Sequence, residues 1–157
     1  PREPGRSVMA VRLRTRLDND ERLKAGLGRL RSLIADLTPV MDEMGAEMTA
    51  ATQDRFKSGV APDGSPWPEL SQATKDKRGA DAKPLVDRGH LRDSISWQAS
   101  ATEVSVGSNR AYARIHQFGG QAGRNNAVTI PARPYLGVSE DDKALLAELI
   151  GDHLRAG

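Results

Sequence analysis

The sequence predicts an α+β fold: an antiparallel sheet of short strands with two N-terminal helices and a C-terminal helix packed on it. Three observations predict it. Apolar residues recur at helical spacing near both ends, as Leu23, Leu27, Leu30, Ile34 and Leu37, and as Leu145, Leu146, Leu149, Ile150 and Leu154. Between these stretches glycine and proline cut the chain into short segments, several with strand character. The order is strand, two helices, loop, several short strands with helical inserts, then a helix, which is the succession of a helix-covered antiparallel sheet.

Each element has its own justification. Val11, Leu13, Thr15 and Leu17 alternate with Arg12, Arg14 and Arg16, the period of a half-buried strand with one charged face. Asp18 and Glu21 stand at capping-box spacing for a helix over roughly residues 19–36. Thr38 as N-cap and Pro39 as first helical residue start a second helix. It places Met41, Met44, Met48, Ala51 and Arg55 along one side, is anchored by Phe56, and stops at Gly59. The methionines read as adaptable core filler rather than a cofactor site.

Residues 59–68, GVAPDGSPWP, exclude regular structure and fix Trp67 between Pro66 and Pro68. Ser71 caps a short helix through Lys77, and residues 78–83 read as a mobile loop. Asp87 turns the chain into a short helix carrying Leu91 and Ile95. Strands at Trp97–Ala101 and Glu103–Val106 flank a turn at Ala101-Thr102. Tyr112–Phe118 is a helical turn or a bent strand, Gly119–Asn126 a loop, and Val128–Ile130 a strand broken by Pro131 and Pro134. Ser139 starts the last helix with Asp142 as its capping-box partner.

A chain of 157 residues suffices for one domain with a real core, expected over residues 9–157. Residues 1–8 are expected to be a disordered leader or additions ahead of Met9. Only 38% of residues are apolar and 4% aromatic, so the core is lean and assembly is a route to further order. The net charge of +2 is nearly balanced, with the basic excess at Arg2, Arg6, Arg12, Arg14 and Arg16. The absence of cysteine excludes disulfides and thiolate metal sites. No apolar run approaches a membrane span of about 20 residues, and no secretion signal is visible.

Catalytic chemistry finds little purchase. His90, His116 and His153 are far apart and form no metal-ligand spacing. Asp87-Arg88-Gly89-His90 reads as a helix start with a glycine turn, and Ser94 and Ser96 lack a nucleophile elbow. The glycine-rich segments have neither Walker nor dinucleotide spacing. No catalytic, cofactor-binding or metal residue is therefore assigned, and no cofactor is expected.

The informative stretches are YARIHQFGG (112–120) and IPARPYLG (130–137), aromatic loops shaped by glycine and proline. They read as recognition surface. The residues expected at a protein interface are Trp67, Tyr112, His116, Phe118, Arg133 and Tyr135, about half of the aromatics being expected in the core. Arg12, Arg14 and Arg16 are the residues that could face DNA. A nucleic-acid-binding protein is the rival reading, on Arg110, Arg114, Arg124 and Arg133 beside the aromatics. A cell-wall hydrolase is the other, and it needs a carboxylate pair that the sequence does not nominate.

RFKSGVAPDGSPWPEL (55–70), Thr74 with Lys75, PLVDRGHLRDSI (84–95), VSVGSNRAYARIHQFGG (104–120), IPARPYLGVSEDD (130–142) and a closing amphipathic helix follow one another in a fixed order. This succession resembles the phage virion morphogenesis, or tail completion, family of Mu-like phages, from roughly Leu37 to the C-terminus. Arg88 departs from it, since such proteins often carry threonine there, and the residues before Met9 have no counterpart. The resemblance implies a non-enzymatic structural virion protein acting in tail completion and head–tail joining at the neck. It implies a ring, commonly six-fold, whose partners are head-side connector or adaptor proteins and tail terminator or tail tube proteins. DNA in the channel would be touched only non-specifically, and no membrane is involved. The implied location is the virion neck, with assembly in the host cytoplasm.

Overall fold

The computed structural model describes residues 21–156. Residues 1–8 and the strand expected over Val11–Leu17, with Arg12, Arg14 and Arg16, lie outside the described residues. The α+β class is borne out. The order is α1 (Glu21–Ala35), α2 (Thr38–Ser58), α3 (Gln72–Arg78), β1 (Ile95–Ala99), β2 (Val104–Ser108), α4 (Ala113–Phe118), β3 (Gly120–Ala122), β4 (Val128–Ile130) and α5 (Glu140–Ala156). Short 3-10 turns occupy Arg92–Ser94 and Arg124–Asn126.

The strands form two ribbons rather than one sheet. β1 and β2 pair antiparallel from Ile95↔Ser108 to Ala99↔Val104, and β3 and β4 from Gly120↔Ile130 to Ala122↔Val128. Helix α2 is the central post, packed against the first ribbon and against α5. A missing side chain sets the approach to the ribbon. A Cβ on Gly45 would stand 2.2 Å from Cδ1 of Trp97, whose indole N–H donates to Asp42 Oδ1 at 2.8 Å.

The helix boundaries follow the sequence signals with small shifts. α2 starts one residue early, with Leu37 at its cap and the Thr38 N–H donating to Asp36 Oδ1 at 2.9 Å. It ends at Gly59 in the left-handed conformation, with the Gly59 N–H bonded to Arg55 O at 2.8 Å. At α5 the capping box is complete: Ser139 N–H donates to Asp142 Oδ2 at 2.7 Å, and Asp142 N–H to Ser139 Oγ at 3.1 Å.

Two expectations are corrected. Ile95 does not extend a helix from Asp87. It opens β1, because it buries its side chain in the core and pairs with Ser108, leaving only the 3-10 turn before it. Asp87 caps nothing there; its carboxylate lies 3.4 Å from Arg78 Nε of α3. The stretch Gly119–Asn126 is not all loop, since Gly120–Ala122 finds a ladder partner in β4.

The core is small and aromatic. Phe56 at the end of α2 meets Trp67 edge-on, with centroids 5.6 Å apart, and Tyr135 at a tilt, with centroids 5.3 Å apart. Ala61, Leu91, Ile95 and Ala113 close around them. Helix α1 takes no part: none of its residues is buried, and Leu23, Leu27, Leu30 and Ile34 form an exposed stripe.

Candidate docking surface

The segment Arg133–Gly137 is the hub that positions both aromatic loops. Pro134 deprives this stretch of a donor, and it belongs to no strand, so its polar groups need partners from elsewhere. Side chains supply most of them. Trp67 Nε1–H donates to Pro134 O at 2.7 Å. Gln117 imitates a neighbouring strand: its Oε1 accepts from the N–H groups of Tyr135 and Leu136, both at 3.0 Å, and its Nε2 donates to Leu136 O at 2.9 Å. Arg55 Nη1 donates to Tyr135 O at 3.2 Å and Gly137 O at 2.9 Å, while Nη2 is paired with the Asp142 carboxylate.

Helix α4 is clamped onto this hub. The Tyr135 hydroxyl donates to Ala113 O at 3.2 Å, and burial raises the phenol pKa, which keeps the donor protonated. His116 O accepts from Arg133 N–H at 2.8 Å. Just beyond α4, Gly119 has φ 72°, and a Cβ there would stand 2.8 Å from Ala132 N. Only glycine fits both the dihedral and the contact.

The six residues expected at an interface therefore divide. Trp67 and Tyr135, 5% and 1% exposed, are core residues, because their rings surround Phe56 and their polar atoms are spent on backbone inside the domain. Arg133 is buried too: Nε donates to Pro68 O at 2.7 Å and Nη2 to Glu69 O at 2.8 Å, tying the tryptophan loop to the hub. Tyr112 and Phe118, at the two ends of α4, stay outside, with Phe118 71% exposed. His116 lies between them, half-buried, its ring edge-on to Tyr112 with centroids 5.8 Å apart. Desolvation, and then the charge of Arg133, hold the His116 imidazolium below the ordinary histidine value. Both effects favour the neutral ring.

A cleft of about 610 Å³ opens beside this surface, between α3, the turn at residues 85–91, α4 and β4. Its walls include Arg78, Arg88, His90, Tyr112, His116 and Arg133. The carboxylates that line it are Glu69 and Asp87. Glu69 bonds Lys75, which lowers its pKa, and Asp87 faces Arg78. A glycosidase acid needs its pKa raised, so Glu69 is tuned the opposite way. Among the described residues no cluster of His, Asp or Glu could hold a metal ion, and no helix is long and apolar enough to cross a membrane.

Sequence reasoning did not find the supports. Nothing in the neighbourhood of Gln117 marks it as a surrogate strand. Arg55 did carry a signal: a guanidinium in line with Met41, Met44 and Met48 on the inner side of a helix must meet a partner.

Comparison with known proteins places the chain among phage assembly proteins. It is 36% identical to the Mu-like prophage FluMu G protein 2 of Haemophilus influenzae, over 88% of this chain and 94% of that protein. It is 30% identical to tail completion protein S of Escherichia phage P2, over 80% and 93% of the two chains, and 27% identical to the putative capsid assembly protein G of Escherichia phage Mu, over 72% and 76%. No solved structure matches it. The model of the phage virion morphogenesis family matches residues 18–155, and the chain belongs to that family.

Proposed function

We propose that this structural phage protein completes the tail and joins it to the head at the neck, without catalysis, by packing copies side by side into a closed ring. A head-to-tail contact whose rotation closes generates such a ring. The observation that carries the reading is Phe118: a 71% exposed aromatic at the end of a helix pinned to the hub through Gln117 and Tyr135. An exposed ring on a pre-ordered backbone loses little entropy on docking. Tyr112, with His116 edge-on to it, adds a second exposed ring on the same helix, beside a basic cleft. These aromatics meet a neighbouring copy, a head-side connector or adaptor, or a tail terminator or tube protein.

The names of the relatives, a tail completion protein and a putative capsid assembly protein, support this reading. Arg12, Arg14 and Arg16 contact DNA in the channel through phosphates alone, so any DNA affinity falls steeply with salt. The test is phage production without the protein, imaged by electron microscopy. Separate full heads and tails, rejoined by adding the wild-type chain, support the reading. Normally joined infectious particles refute it.

A further inference from the structure

Helix α1 presents Leu23, Leu27, Leu30 and Ile34 along one line, each between 44% and 58% exposed. Spacings of four, three and four residues make this a narrow seam of the kind that seats against another helix. Among the described residues α1 touches α5 of its own chain, yet the stripe keeps 44% to 58% of its surface open. Helix α5 offers a matching face. Ile150 and Leu154 stand exposed one turn apart, and Ala144, Ala147 and Gly151 flank them, which makes a shallow channel between larger side chains. The lengths agree, since helices of 15 and 17 residues extend about 22 and about 25 Å.

Charge selects between possible partners. In α1 Glu21 is answered by Lys24, and in α5 Glu140 by Lys143 and Asp152 by Arg155. Asp142 is turned inward to Arg55. What remains is basic on α1, at Arg29 and Arg31, and acidic on α5, at Asp141 and Glu148. A second α1 would bring like charge to like charge. The segment leading into α1, with Arg12, Arg14 and Arg16, has the same sign as α1 and matches it no better.

From this complementarity we infer that α1 of one copy docks along the open face of α5 in a neighbouring copy, donor helix into acceptor helix around the assembly. The inference rests on the ring reading and supplies its head-to-tail contact. A donor and an acceptor on one chain, each using a different surface, is what a heterologous interface requires.

The absence of cysteine makes the test direct. A full-length chain carrying only Leu27→Cys is mixed with a size-tagged chain carrying only Ile150→Cys, under mild oxidation. A disulfide between the two chains, in excess over either homodimer, supports the docking. Predominant Leu27→Cys homodimers would show that α1 pairs with α1, and an internal disulfide in the double variant, run as a monomer, would show that the helices pair within one chain. Either result overturns the proposal.

Native mass spectrometry gives the second measurement. Leu27→Asp is expected to weaken self-association about ten- to hundred-fold, the worth of one buried leucine, with thermal unfolding unchanged. Arg31→Glu is expected to weaken it too, and Glu148→Lys in the neighbouring copy to restore it. An oligomer untouched by Leu27→Asp overturns this contact and leaves the ring standing on another surface. A wild-type chain that stays monomeric, alone and with its virion partners, overturns both.

Discussion

Arg55 and Asp142, 87 positions apart, form the buried ion pair that ties the central helix α2 to the first turn of α5. Both side chains are at most 10% exposed. Both groups have further partners: the guanidinium also serves the carbonyls of Tyr135 and Gly137, and the carboxylate also caps Ser139. Replacing Arg55 with methionine is expected to cost about 3–5 kcal/mol, because it strands a buried carboxylate and two carbonyls. Adding Asp142→Asn to that variant should recover part of the loss. Urea unfolding of the single and double variants measures both.

The Gln117 bridge predicts a graded pair of variants. Gln117→Leu leaves two N–H groups and one carbonyl of the hub without partners, and each costs about 1–3 kcal/mol when water cannot reach it. Gln117→Glu keeps the two accepted bonds but sets a carboxylate oxygen against the Leu136 carbonyl, so it should destabilise as well, and less so at a pH low enough to protonate the new side chain. Limited proteolysis across residues 130–137 reads the difference locally, and thermal unfolding reads it globally.

The aromatics divide into two experimental classes. Trp67→Ala removes a core ring and the bond to Pro134, with an expected cost of about 3–5 kcal/mol and poor recovery of folded protein. Phe118→Ser and Tyr112→Ala should change stability by no more than about 0.5 kcal/mol, as exposed positions do. They should nevertheless fail to restore head–tail joining when added to particles lacking the protein. A joining assay run beside a melting curve separates the classes. Full joining by Phe118→Ser would remove it from the interface.

Acid should weaken the fold in two stages. The His116 pKa is lowered by desolvation and by Arg133, so the unfolded chain takes up that proton first. The contribution of the neutral ring is whole above about pH 6.5 and declines as pH falls below it. Burial would raise the Asp142 pKa, but the bonds from Ser139 and the charge of Arg55 outweigh it and lower the value. Its contribution is present above about pH 3.9 and is lost as pH falls through the lower folded value. Unfolding midpoints at pH 7.5 and 5.5 should differ for the wild type, and less for His116→Gln.

The helices were legible because their signals are local. The three-and-four spacing located α1 and α5, Gly59 marked the end of α2, and Ser139 with Asp142 marked the start of α5. The strand edges were less legible, since pairing with a distant segment decides them. Ile95 has the same apolar character in a helix or a strand until Ser108 is seen beside it. Gly120–Ala122 has little strand character of its own and is a strand only because β4 lies next to it. The two aromatic loops could be found from glycine and proline, but not which rings face inward. Trp67 and Phe118 look alike in sequence. One meets Phe56 and a free carbonyl, and the other extends past the last turn of α4.

The long reach between Arg55 and Asp142 bears on the order in which the molecule assembles itself. The guanidinium and the carboxylate that neutralises it are far apart along the chain, so they meet only after a large loop has closed. Seating α5 on α2 is therefore a late event, and until it happens the cation at the hub has only water for company.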